Sequence, residues 1–125
     1  MNNLIIKKCL KCGAVVEVLH DCTCKDCGIQ CCGQPMVTLN PNATDAAFEK
    51  HVPNYEIQEN KILATVNHVM EPEHYIEWIA LVGNNQVYKR NLTPQDKPEA
   101  VFPYIKGAKL YSYCNKHALW VKEVE

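Results

Sequence analysis

Cys114 and His117 stand three residues apart in YSYCNKHALW, whereas the other seven of the chain's eight cysteines fall between Cys9 and Cys32. After residue 40 the chain has four histidines, His51, His68, His74 and His117, and this single cysteine. A lone histidine is more often a surface or structural residue than a ligand. Every histidine of a region lying at a strand edge or loop, beside its only cysteine, is a far less common pattern. Five candidate donors exceed the four that a structural zinc takes. Imidazoles with a thiolate suit iron, and a five-coordinate iron keeps one position open for chemistry on a small molecule.

A second constellation lies near the start. CLKCG puts Cys9 and Cys12 at the Cys-x-x-Cys spacing, so one tight turn can aim two thiolates at one metal, with Gly13 easing the backbone around them. CCG at 31–33 offers a second pair, Cys31 and Cys32. Four thiolates make a tetrahedral site for iron or zinc, and residue types alone do not choose between them. Between the pairs, HDCTCKDCGIQ adds Cys22, Cys24 and Cys27. These three read as free thiols, as a second weak site, or as part of a larger iron–sulfur cluster that alters the first centre.

Short strands must position these donors. Residues 1–38 hold seven cysteines and few large apolar side chains, so this segment needs a covalent or metallic staple. TLNPNATDAAFEK reads as a linker with one helical turn in TDAAFEK. Beyond it, YEIQENKILATVNHV alternates at Ile62, Ala64 and Val66 as a half-buried strand, and HYIEWIALV is a second strand with Ile76, Trp78, Ala80 and Val82 on one face. GNN at 83–85 turns the chain into QVYKRNL, and AKLYSYC pairs with HALWVKEV through Asn115–Lys116. This pattern predicts an antiparallel β-sandwich. His68 closes one strand and His74 opens the next; Cys114 closes a strand and His117 opens its partner. Both tips can meet at one rim, joined by His51 from the preceding loop.

Composition narrows the partners. A net charge of −1 over 125 residues gives no sign of a nucleic-acid binder. Leu4–Ile6 is too short for a signal-peptide core, and no apolar run reaches membrane-spanning length. These features predict a cytoplasmic protein, where cysteines serve as metal ligands more often than as disulfides.

The motifs EKHVP at 49–53, HVMEPEHYIEWI from His68, and YCNKHALW at 113–120 resemble the superoxide reductases. KKCLKCGAVVEVLH followed by CCGQPM is similar to the desulforedoxin-like domain that precedes the catalytic domain in the two-iron, desulfoferrodoxin-type members. DCTCKDC stands where those members carry a glycine-rich stretch. The resemblance implies an all-β chain: a small cysteine-rich desulforedoxin-like domain at 1–38, then an immunoglobulin-like antiparallel catalytic sandwich at 39–125. It implies a catalytic Fe(II)/Fe(III) held by His51, His68, His74 and His117 with Cys114 as axial thiolate. Superoxide would take one electron and two protons there and leave as hydrogen peroxide, with no oxygen produced.

The same resemblance implies that Lys50 provides local positive potential and that Glu49 is the carboxylate closing the sixth position of the oxidised iron. Cys9, Cys12, Cys31 and Cys32 would hold a second, rubredoxin-like iron. A rubredoxin-type electron donor and a homodimer are implied as well. The competing reading is a non-enzymatic metal-binding module with incidental histidines, or a redox sensor whose responsive thiols are Cys22, Cys24 and Cys27. A structural module needs neither a fifth ligand nor an open face with a lysine beside it.

Overall fold

The computed structural model describes residues 3–24 and 28–125, so Cys27 lies outside the described residues. The described residues form antiparallel β-structure with one short 3-10 turn, and contain no helix long and apolar enough to cross a membrane. They divide into two compact units, one at Leu4–Asn40 and one built on Pro41–Glu125.

In the first unit, β1 (Ile6–Lys8) lies between β2 (Val15–Glu17) and β5 (Val37–Thr38), and β3 (Gln30–Cys31) pairs with β4 (Gln34–Pro35). Strands of two or three residues bury little. Among its described residues, Ile6, Val18 and Met36 are the buried apolar side chains apart from Cys9, and Lys7 pairs with Asp21 at 3.2 Å.

The second unit is the expected sandwich. One sheet has β7 (Lys61–Thr65) between β6 (Asn54–Gln58) and β10 (Glu99–Pro103). The other runs in the order β12 (Ala118–Glu123), β11 (Lys109–Cys114), β8 (Ile76–Gly83), β9 (Gln86–Asn91). Ile62, Ala64 and Phe102 of the first sheet and Ile79, Leu81, Leu110 and Cys114 of the second share one buried core. Asn84 (φ 51°) and Asn85 (φ 57°) make the two-residue β8–β9 turn, the left-handed pair that suits strand twist.

Two details differ from the sequence reading. YEIQENKILATVNHV is a hairpin, β6 to β7, turning at Glu59 (φ 61°) and Asn60. Ile76 does not share a face with Trp78. Tyr113 pairs with Trp78 but Cys114 pairs with Ile76, so Glu77 is the extra residue of a β-bulge that returns Ile76 to the core beside Ile79 and Leu81. Bulges of this kind re-aim side chains at sheet rims.

The linker is pinned. Asn42 donates from its amide to the Leu119 carbonyl, and its carboxamide bonds both the N–H and the carbonyl of Val121. That anchors the chain ahead of the 3-10 turn Phe48–Lys50, from which it passes directly into His51.

Candidate metal centres

Three connections bring five donors together: the segment after the 3-10 turn, the β7–β8 connection and the β11–β12 turn. The ligand atoms of His51, His68, His74, Cys114 and His117 all lie within 4.8 Å of one another. Their rings form a closed cycle of edge-to-face neighbours: His51–His68 at 4.8 Å, His68–His74 at 4.6 Å, His74–His117 at 5.1 Å and His117–His51 at 4.8 Å between centroids. Cys114 is fully buried, with Sγ 3.4 Å from His68 Nε2 and 3.8 Å from His117 Nδ1, while three of the four imidazoles keep partial exposure. The thiol thus forms the floor of the ring.

Outer contacts on a ring nitrogen turn the imidazoles of His51 and His68, as metal-binding imidazoles commonly require. His51 Nδ1 donates to the Ala47 carbonyl at 2.7 Å, leaving Nε2 for the site. His68 Nδ1 meets the Val69 carbonyl at 2.5 Å with the same result. Ser112 Oγ, buried, donates to the His51 carbonyl at 2.6 Å, and Trp120 stacks on the His51 ring at 4.9 Å while its indole N–H donates to the His117 carbonyl. The His74 Nε2 is buried without a hydrogen-bond partner among the described residues.

Burial holds His51, His68 and His74 below the ordinary histidine value, which favours neutral imidazoles with lone pairs to offer. Burial pushes the Cys114 thiol up, opposed by the N–H groups of Lys116 and His117. The donor set fits a metal. A cation about 2.1 Å from each nitrogen sets right-angle neighbours about 3.0 Å apart. His51 Nε2 and His117 Nδ1 are 3.0 Å apart. An orphaned, buried His74 Nε2 facing such a set is explained by the same cation.

Glu49 and Lys50 lie exposed on the 3-10 turn beside His51. After burial and the neighbouring histidines, the Lys50 charge is among the influences that disfavour protonation of His68, and the Glu49 charge acts in the opposite sense on His51. Phe48 of the same turn meets Trp120 edge-on at 5.8 Å. Trp120 is therefore an orienting residue for two of the histidines.

The second group is Cys9, Cys12, Cys31 and Cys32, whose sulfurs also lie within 4.8 Å of one another. Cys12 and Cys31 are 3.6 Å apart, and Cys31 and Cys32 are 3.9 Å apart. A tetrahedron with metal–sulfur bonds of about 2.3 Å has edges of about 3.8 Å. The Cys12 N–H donates to Cys9 Sγ, and Gly13 (φ 83°) and Gly33 (φ 75°) take the left-handed backbone that ends each knuckle. Of the remaining described cysteines, Cys22 is an exposed free thiol, and neither Cys22 nor Cys24 joins a metal-ligand group among the described residues.

A model of the desulfoferrodoxin family matches residues 43–123. The desulfoferrodoxin of Syntrophotalea carbinolica is 47% identical over 124 residues, covering 96% of each chain. A superoxide reductase of Thermococcus kodakarensis is 36% identical over 113 residues, covering 71% of this chain and 97% of its own. The crystal structure of the superoxide reductase from Treponema pallidum superposes with a TM-score of 0.71 over 96% of this chain and 98% of that one, at 24% identity, a likeness of fold. The family match spans all five donors of the sandwich site, and the full-length relative extends it across the four-cysteine unit: the chain belongs to the desulfoferrodoxin family.

Proposed function

We propose that this chain is a superoxide reductase, an oxidoreductase that converts superoxide to hydrogen peroxide without releasing oxygen. The observation that carries this reading is the closed ring of four imidazoles over one buried thiol. A relative from Thermococcus kodakarensis, matched over 71% of this chain and 97% of its own, bears the name superoxide reductase. His51, His68, His74, Cys114 and His117 would hold the iron, whose Fe(II)/Fe(III) couple would supply the one electron that superoxide takes up with two protons.

The chain's own residues set the conditions for that transfer. Imidazole ligands add no negative charge, so a metal held there would stay cationic toward an arriving anion. Cys114, as a thiolate on the buried side, donates electron density from below the ring. Lys50 raises the local concentration of superoxide at the exposed side and assists protonation through water. Glu49, next to it on the 3-10 turn, is the carboxylate that would be available to an oxidised metal there. Cys9, Cys12, Cys31 and Cys32 are assigned to a second iron.

The two domains of this reading are a desulforedoxin-like segment at 1–38 and a catalytic sandwich at 39–125. A rubredoxin-type donor, a homodimer and a cytoplasmic location complete it, supported by family membership. The test is metal content with the optical spectrum, followed by superoxide consumption with oxygen monitored. Two irons per chain, separate thiolate-to-iron bands and peroxide without oxygen are expected. Zinc alone after anaerobic preparation with iron present, or oxygen release, would sink the assignment.

Lys50→Ala is expected to slow the reaction with superoxide about 10-fold at low ionic strength. The gap should narrow as salt shortens the screening length. An unchanged rate and an unchanged salt slope would make Lys50 an ordinary surface residue.

A further inference from the structure

We infer that Asn115 is a positioning residue for His74: its carboxamide ties the Cys114–His117 loop to the peptide groups on both sides of that histidine, and so fixes the imidazole against the thiol. The inference rests on the reading of the five donors as an iron centre.

The geometry is specific to one side chain. The Tyr75 N–H donates to Asn115 Oδ1 at 2.9 Å, and Asn115 Nδ2 donates to the Glu73 carbonyl at 3.0 Å. The Asn115 N–H donates to the Tyr75 carbonyl at 3.2 Å. These bonds bracket His74, whose own N–H and carbonyl close on Glu71, each at 3.0 Å. The peptide groups flanking this ligand are therefore fixed by a residue of the other ligand-bearing loop, 40 positions away in sequence.

His74 needs such support more than the other ligands do. His51 and His68 are turned by carbonyls on their rings, and His117 is held through Trp120. No carbonyl holds a ring nitrogen of His74 among the described residues, and its Nε2 is buried and unpartnered. The orientation of this imidazole is therefore inherited from its main chain. Asparagine carries its acceptor and its donor on separate atoms of one short side chain, so it can bond the Tyr75 N–H and the Glu73 carbonyl at once. Aspartate retains only the acceptor, and alanine retains neither.

The experiment uses the full-length chain with iron at both centres. It follows iron release from the His4Cys centre to excess bipyridyl in the reduced state, its thiolate-to-iron absorption, and amide exchange at Tyr75. In Asn115→Ala, release is expected to be about 10–100-fold faster, the usual cost of losing an outer partner of a ligand. The absorption band should shift and Tyr75 exchange should accelerate, with release from the four-cysteine centre unchanged. Asn115→Asp should fall between the two, and it carries the same test if the alanine variant does not fold. A wild-type release rate and band alongside faster Tyr75 exchange would reduce Asn115 to a loop tie and overturn the inference. A wild-type protein that binds both irons yet fails to reduce superoxide would overturn the proposed function instead, and the release comparison would still decide the clamp.

Discussion

Cys114→Ser is expected to leave the sandwich folded and to cut superoxide consumption by the iron-loaded protein at least about 100-fold, since losing a ligand costs no less than losing its outer partner. The thiol is fully buried, 3.4 Å from His68 Nε2, and belongs to the same core as Leu110 and Ile76. Serine fits the same space, and burying its hydroxyl costs about 1–3 kcal/mol if it finds no partner. What it cannot provide is a soft anionic sulfur. A neutral hydroxyl on the floor of the ring withdraws the electron donation that the thiolate gives, and with it the charge that offsets the metal. The thiolate-to-iron band of the His4Cys centre should vanish in the same variant while that of the four-cysteine centre persists. Full activity would remove Cys114 from the mechanism, whatever the spectrum showed.

The ligands of both centres were legible in the sequence because metal binding tolerates few residue types and sets them at strand ends. Cys114-x-x-His117 is the tip of the β11–β12 hairpin, whereas the step from His68 to His74 lies in the β7–β8 connection that crosses between the sheets; the strand pattern already allows the two to meet at one rim. The supporting groups were less legible. Asn115 reads as an ordinary turn residue until the Glu73–Tyr75 peptide groups are seen across from it. The bulge at Glu77 is hidden for a related reason: a period of two, extended back from Trp78, puts Ile76 on the wrong face, and only pairing with β11 reveals the extra residue. Glu59–Asn60 likewise lacks the glycine that marks tight hairpins, so β6 and β7 read as one strand. Side-chain chemistry showed through local spacing, whereas register depended on partners distant in sequence.

The same contrast between local chemistry and packing governs the first unit, and it leads to the second large effect. Stripping the metal from Cys9, Cys12, Cys31 and Cys32 under reducing conditions should unfold Leu4–Asn40 and leave the sandwich of Pro41–Glu125 intact. Among the described residues of the first unit, Ile6, Val18 and Met36 are the buried apolar side chains besides Cys9, each contributing about 2 kcal/mol. A tetrahedral thiolate site contributes on the order of 10 kcal/mol of folding free energy, more than those side chains together. The thiols also resist sharing the space without a cation. The Cys12 N–H lowers Cys9 to about 6, whereas Cys31 is pushed up to about 12 by the neighbouring thiol of Cys12. Four thiolates at this spacing repel one another without a cation between them, so metal loss leaves the knuckles with nothing to converge on. The sandwich has its own core, from Ile62 to Val124, and does not depend on that metal. Amide exchange after chelation separates the cases. The amides of β1 and β2 should lose protection while those of β8 and β11 keep theirs. Protection persisting in β1 and β2 would mean that the short strands hold themselves together and that the four cysteines serve electron transfer without serving the fold.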